Sequence, residues 1–220
     1  MKKRQIDCLG ADIEDFDITD RKAVRDFIIS YQPDAVIHCS AYTAVDKAED
    51  DLELCRAVNA EGPRNIAKAC KEINAKMIYI STDYVFPGYG DTFYETDDAT
   101  GPLGVYGKTK LEGELAVKEV LDKYFIVRIS WVFGVNGNNF IKTMLKLSET
   151  RDEISVVSDQ IGSPTYTADL ATLLCDMAAT DKYGIYHATN EGTCSWAELA
   201  EEAFKVSGRA VKVIRIATEE

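Results

Sequence analysis

The sequence predicts an α/β fold, a doubly wound parallel sheet with helices on both faces, and three observations predict it. Short apolar runs such as Ala35-Val36-Ile37-His38-Cys39 are continuous, as in strands that a parallel sheet buries on both sides. Segments with helical spacing separate those runs, so strand and helix alternate along the chain. The apolar run Met77-Ile78-Tyr79-Ile80 then breaks into Ser81-Thr82-Asp83, polar residues at the strand end where open α/β sheets gather ligands.

Residues 1–9 are a basic lead into a weak strand signal. Asp15-Phe16-Asp17-Ile18-Thr19-Asp20 supplies side chains that can cap a helix over 21–31, where Val24, Phe27, Ile28 and Tyr31 recur at helical spacing. Pro33-Asp34 ends that helix, and the strand at 35–39 follows. A helix is expected over 52–73, interrupted near Gly62-Pro63, and it leads to the strand at 77–80. The next helix covers 105–121 and precedes a strand at 125–129. Helices at 140–147 and 168–177 precede strands at 154–157 and 184–188. Ser195, with Glu198 three residues on, opens the last helix in the manner of a capping box. No repeat or low-complexity linker divides the chain. The expected organisation is a core over 1–135 and an interleaved remainder over 136–220 that includes a partial second lobe.

A length of 220 residues suits one domain, or one domain with a small appended lobe. Acidic residues outnumber basic ones by 37 to 25, and no Lys/Arg stripe offers a face for a phosphate backbone. Nucleic acid is therefore not an expected partner. An anionic small molecule would have to be held by local groups against the overall field. The six cysteines are scattered without a Cys-x-x-Cys, and several lie in apolar surroundings, Cys39 among them. They read as buried free thiols of a reducing compartment. His38 and His187 are far apart, so no metal centre is expected. No apolar run approaches the length of a membrane span and no signal peptide is visible, which points to the cytoplasm.

The chemistry centres on Val105-Tyr106-Gly107-Lys108-Thr109-Lys110 at the head of the 105–121 helix. Residues four apart share a helix face, so the Tyr106 phenol and the Lys110 ammonium can meet. A nearby cation favours the phenolate, which would draw Tyr106 down from its usual value of about 10. Lys110 is spaced equally well to pair with Glu114. Between Thr82 and Tyr106 lies a long stretch rich in Gly, Pro, Asp and aromatics, and loops of that length in a compact domain are usually functional. Thr82 joins Tyr106 and Lys110 as a candidate for chemistry.

Several stretches together resemble the extended short-chain dehydrogenase/reductase family: 43–49, 81–88, 95–97, 105–111, 130–133, 138–140 and 159–165. The likeness runs over nearly the whole chain and implies a Rossmann-like sheet with a substrate-binding lobe. It implies hydride transfer from NADPH or NADH to the 4-keto carbon of a dTDP-sugar, dTDP-4-dehydro-β-L-rhamnose. Thr82, Tyr106 and Lys110 match the catalytic residues. Tyr106 would protonate the developing alkoxide, Lys110 would hold the nicotinamide ribose, and Thr82 would bond the substrate oxygen. Asp17 and Ile18 match an adenine contact, although an Asp/Thr cluster also caps helices. Ala41-Tyr42-Thr43 match a cofactor loop, Asp83 and Trp131 match substrate contacts, and Asn59 matches a buried structural asparagine. A homodimer is left open, as is the choice between NADPH and NADH.

One part of the pattern is missing. A dinucleotide fold opens with strand, glycine-rich turn and helix, whereas Gly10 is the only glycine before Gly62. Gly101, Gly104 and Gly107 have a similar spacing but follow a polar stretch, and they read as loop and helix-entry glycines. Aligned with the family, the chain begins after its first strand and stops short of its C-terminal part. The expected consequences are a gap in the sheet and weaker pyrophosphate binding. An epimerase or dehydratase of the same scaffold, and a non-catalytic regulatory relative, are the alternatives.

Overall fold

The structure is a computed structural model, and it describes residues 6–219. The first half runs α1 (Arg21–Tyr31), β1 (Ala35–His38), α2 (Val45–Ala48), α3 (Leu52–Arg56), α4 (Gly62–Glu72), β2 (Lys76–Thr82), α5 (Val105–Val120) and β3 (Tyr124–Ile129). The second runs β4 (Val132–Phe133), α6 (Phe140–Leu147), β5 (Glu153–Val157), β6 (Ile161–Gly162), β7 (Thr165–Tyr166) and α7 (Thr167–Ala178). It ends with β8 (Gly184–His187), β9 (Cys194–Ser195), α8 (Trp196–Val206) and β10 (Lys212–Ile216).

The main sheet has the order β1-β2-β3-β8. β1 runs parallel to β2, with Ala35 opposite Lys76 and His38 opposite Tyr79, and β3 runs parallel to β8. This is the α/β sheet the alternation predicted. Val24 and Ile28 of α1, Ile66 and Cys70 of α4 and Val117 of α5 pack with Met77 and Tyr79, which alternation puts on one face of β2. Each helix has a local reason for its position. Asp20, and not Asp17, caps α1: its Oδ1 accepts from the backbone N–H groups of Lys22 (2.8 Å) and Ala23 (3.1 Å). The expected break near Gly62-Pro63 takes the form of a π-turn over Ala57–Glu61 that runs directly into α4. A Cβ on Gly62 would lie 2.8 Å from Ile18 Cδ1, so glycine lets α4 close on that side chain.

Two expectations change. Of the lead segment, residues 1–5 lie outside the described residues, and 6–9 form no strand. Among the described residues β1 is paired on one side only, by β2, so that the expected gap inside the sheet is there an edge. Cys39 is exposed because it lies just past the end of β1; Cys55, Cys70 and Cys175 are the buried thiols.

The chain divides into two compact units, one of residues 1–128 and 173–187 and the other of 129–172 and 188–220, where the sequence suggested a single cut at 135. The second unit has its own core of Met144, Ile154, Val156, Ala197, Ala200 and Phe204, built where α6 and α8 pack with the parallel pair β5 and β10. α8 begins with the expected capping box between Ser195 and Glu198. Among the described residues no helix is long and apolar enough to cross a membrane.

Candidate active site

Thr82 is the last residue of β2 and is buried. Its hydroxyl donates to Asp83 Oδ1 (3.1 Å) and accepts from the backbone N–H of Tyr84 (3.3 Å), which caps the single turn over Asp83–Val85. The Tyr106 phenol lies close enough to this side chain for Thr82 to draw its pKa down. Two residues make this meeting possible. Glu49 Oε1 accepts the Val105 N–H (2.8 Å), satisfying an orphan donor at the start of α5. Gly107 lets the first turn of the helix press on the β2 exit, since a Cβ there would lie 2.2 Å from Tyr84 O. The Tyr84 and Tyr106 rings then meet edge to face, 5.5 Å apart.

Lys110 follows one turn later but does not behave as the spacing alone suggested. Its ammonium donates to Ile80 O (2.7 Å) and lies 4.2 Å from the centre of the Tyr79 ring. Lys110 is only 2% exposed, and burial brings its pKa down to about 7, with the Glu114 charge acting in the other direction. Tyr106 moves the opposite way from expectation. Burial pushes it up to about 12; the neighbouring Thr82 side chain draws it down, and the charges of Asp83 and Tyr84 raise it further. The ammonium is engaged with Ile80 and Tyr79, so the phenol keeps its proton. The Lys110–Glu114 pair is absent as well, because Arg128 Nε (3.0 Å) and Ser81 Oγ (2.5 Å) both donate to Glu114 Oε1.

Asp83 stands beside Thr82 with its pKa raised to about 6 by burial, against which the hydrogen bond from Thr82 acts. The folded value lies above the ordinary aspartate value of 3.8, so the folded chain binds more protons between those limits. The resulting contribution to stability is complete below about pH 3.8 and is lost as pH rises through about 6. Thermal unfolding across this range should show the decline in the wild type, and Asp83→Asn should flatten it. An unchanged slope would mean that Asp83 is solvated.

The other predicted residues are distributed as follows. Asn59 reaches from the π-turn to the 41–43 loop: its Oδ1 accepts from the Tyr42 N–H (2.8 Å) and its Nδ2 donates to Tyr42 O (3.1 Å). Ala41, Tyr42 and Thr43 are thus held just beyond the carboxyl end of β1. Asp17 is occupied locally, accepting from Thr19 N and Oγ1 at 2.8 Å each, and Ile18 packs at Gly62. Trp131 belongs to the second unit, where it stacks on Trp196 at 3.6 Å between ring centres with its backbone at φ 48°. Gly162 accommodates that indole, because a Cβ would lie 2.5 Å from Trp131 Cε2.

The chain was compared with known proteins. The family described as RmlD substrate binding domain matches residues 1–220. The chain belongs to this family. It is 48% identical to a dTDP-4-dehydrorhamnose reductase of Streptomyces griseus, over 87% of this chain and 65% of that protein, and so spans less than two thirds of that relative. It is 43% identical to the spore coat polysaccharide biosynthesis protein SpsK of Bacillus subtilis, over 92% of this chain and 71% of that protein. The solved structure of a dTDP-4-dehydrorhamnose reductase from Bacillus anthracis in complex with NADP matches with a TM-score of 0.97 and 44% identity. It covers 100% of this chain and 79% of that one.

Within this member of the family, the residues that sequence reasoning passed over are those that support the others. Glu49 ends the 43–49 stretch, and nothing in its spacing marks it as the acceptor for the head of a helix more than fifty residues on. Arg128 carried a signal of its own, a lone cation inside the apolar strand Phe125-Ile126-Val127-Arg128-Ile129, which requires a buried partner.

Proposed function

We propose that the chain is an NAD(P)H-dependent dTDP-4-dehydrorhamnose reductase, reducing the 4-keto group of dTDP-4-dehydro-β-L-rhamnose to give dTDP-L-rhamnose. The observation that carries this reading is the placement of Tyr106, at the head of α5, beside Thr82 at the carboxyl end of β2, with Lys110 one turn further along α5. Membership of the family and the likeness to reductases support it.

The ligand-facing ends of β1 and β2 suit a nicotinamide ribose. Lys110 offers an ammonium, and His38 Nε2 is buried without a hydrogen-bond partner among the described residues. Lys110, Tyr106 and the 41–43 loop would hold that end, and Asp17 with Ile18 the adenine end. No glycine-rich turn between a strand and a helix occurs among the described residues to receive the pyrophosphate. A bound nicotinamide supplies the hydride. The chain's own part is acid catalysis. Tyr106, held protonated by a pKa of about 12, delivers its proton to the alkoxide oxygen as charge develops there, and Thr82 orients that oxygen. Asp83 and Trp131 are read as substrate contacts, the cytoplasm as the location, and a homodimer as the assembly to examine.

The deciding experiment mixes NADPH with dTDP-4-dehydrorhamnose and follows cofactor and sugar together. It uses this chain and the same chain extended by a family-type strand, glycine turn and helix. Stoichiometric oxidation of NADPH with formation of dTDP-L-rhamnose is expected from the extended protein. A changed sugar with NADPH retained would identify an epimerase or dehydratase instead. NADPH binding with the sugar unchanged would favour a non-catalytic relative.

A further inference from the structure

Glu114 lies four residues beyond Lys110 on α5, the spacing at which a lysine and a glutamate ordinarily pair. Here both carboxylate oxygens are committed elsewhere. Arg128 of β3 holds them side by side, Nε to Oε1 at 3.0 Å and Nη2 to Oε2 at 2.8 Å, and the Ser81 hydroxyl adds 2.5 Å to Oε1. Glu114 is 1% exposed and Arg128 4%, so neither charge has water as an alternative partner. Arg128 also reaches into the stretch between Thr82 and Tyr106. Its Nη1 donates to Thr96 O (3.2 Å), and its guanidinium carbon lies 4.9 Å from the centre of the Phe86 ring.

We propose that Arg128 is a positioning residue: by claiming Glu114 it keeps the Lys110 ammonium off that carboxylate and on Ile80 O, while tying Thr96 and Phe86 to the same network. The proposal rests on the reading of Lys110 as a cofactor-holding group.

The groups acting on Lys110 make Arg128 decisive. His38 and Cys39 approach from the end of β1, Cys55 from α3, Tyr79 and Ile80 from β2, and Glu114 from α5 itself. His38 is neutral at working pH, since burial and the Lys110 charge hold its pKa to about 3, and partial desolvation of the sulfur pushes up the thiol of Cys39, a residue otherwise exposed. Glu114 is the one carboxylate in the set. Without Arg128 it is a buried anion with Ser81 as its remaining partner, and leaving such a charge uncompensated is strongly unfavourable. Lys110, on the same helix face, is the cation available to it. A lysine drawn there becomes harder to deprotonate and leaves the Ile80 carbonyl.

The test compares wild type with Arg128→Met, Glu114→Gln and the double variant. Arg128→Met keeps an apolar stem against Phe86. In protein carrying ¹³Cε-lysine, with Lys110 assigned from Lys110→Met, its NMR titration should lie near 7 in the wild type. It should rise by about one unit or more in Arg128→Met, tenfold in proton affinity, and return to the wild-type value or below in the double variant. The rate kcat should fall about tenfold or more in Arg128→Met, with KM less affected, and recover in the double variant. Equal impairment of the single and double variants would reduce Arg128 to packing and overturn the proposal, as would an unchanged Lys110 titration. If Arg128→Met does not fold, Arg128→Gln takes its place in the same titration: an unshifted Lys110 refutes the proposal. If even the wild type reduces no substrate, the reductase reading has failed, and the NMR titration still tests Arg128.

Discussion

Tyr106→Phe should lower the rate of sugar reduction by about 10²–10⁴-fold, the usual worth of a positioned proton donor. The substitution removes one oxygen and leaves the ring, so the edge contact with Tyr84 at 5.5 Å survives and the head of α5 remains packed. Thr82 retains its bonds to Asp83 Oδ1 and Tyr84 N, so no buried hydroxyl is stranded. Stability should therefore change little while kcat collapses, a separation that steady-state kinetics beside thermal unfolding would expose. The pKa of about 12 sharpens the expectation. A phenol that holds its proton so firmly serves as an acid in the reducing direction, and the rate should not depend on Tyr106 ionisation at ordinary pH. Near-wild-type turnover by Tyr106→Phe would remove the residue from the proton transfer and return the site to a binding role.

What the sequence revealed and what it concealed divide along physical lines. The bounds of α1 and α6 were legible because apolar spacing and capping residues act within one turn of chain. So was the Thr82–Tyr106 meeting, because a strand end and a helix head joined by a loop converge at the ligand edge of a parallel sheet. The direction taken by Lys110 was not. Spacing puts Tyr106, Lys110 and Glu114 on one helix face, but the choice among partners is made by Arg128, from the next strand, which occupies Glu114. The same applies to the pKa of Tyr106. A sequence lists the charges near a phenol without showing that burial outweighs them. Asp17 and Asp20 looked alike as caps, and only backbone geometry separates them: Asp20 accepts from Lys22 and Ala23, whereas Asp17 turns to Thr19. β1 reads as an interior strand by composition yet stands at an edge among the described residues, because strand neighbours are set by topology and not by apolar content.

Gly113→Ala should destabilise the protein by about 1–2 kcal/mol, although helix propensity argues the other way. Alanine is favoured over glycine inside a helix by ~1 kcal/mol, and Gly113 lies in the body of α5. The opposing term is contact. A Cβ at 113 would lie 2.2 Å from Asn59 O and 2.4 Å from Tyr79 Oη, two atoms already joined by the bond the Tyr79 hydroxyl donates at 3.2 Å. The carbonyl is main chain within the π-turn, and the Asn59 side chain is tied to Tyr42, so neither can yield alone. The helix must move out. Overpacking of this kind costs ~1–3 kcal/mol, and with a main-chain carbonyl that cannot yield the upper part of that range applies, enough to exceed the propensity gain. For a chain of this size each kcal/mol lowers the unfolding midpoint by ~2–4 °C, so a fall of roughly 2–8 °C is expected by calorimetry. A raised midpoint would mean that α5 stands farther from residue 59 than the structure has it. The displacement should also reach the chemistry, since Lys110 lies one turn before Gly113 and its contacts with Ile80 O and Tyr79 depend on how closely α5 lies against β2. Gly107 and Gly113 therefore act together, one bringing the head of α5 against the Tyr84 backbone and the other its middle against Asn59 and Tyr79, with Lys110 between them.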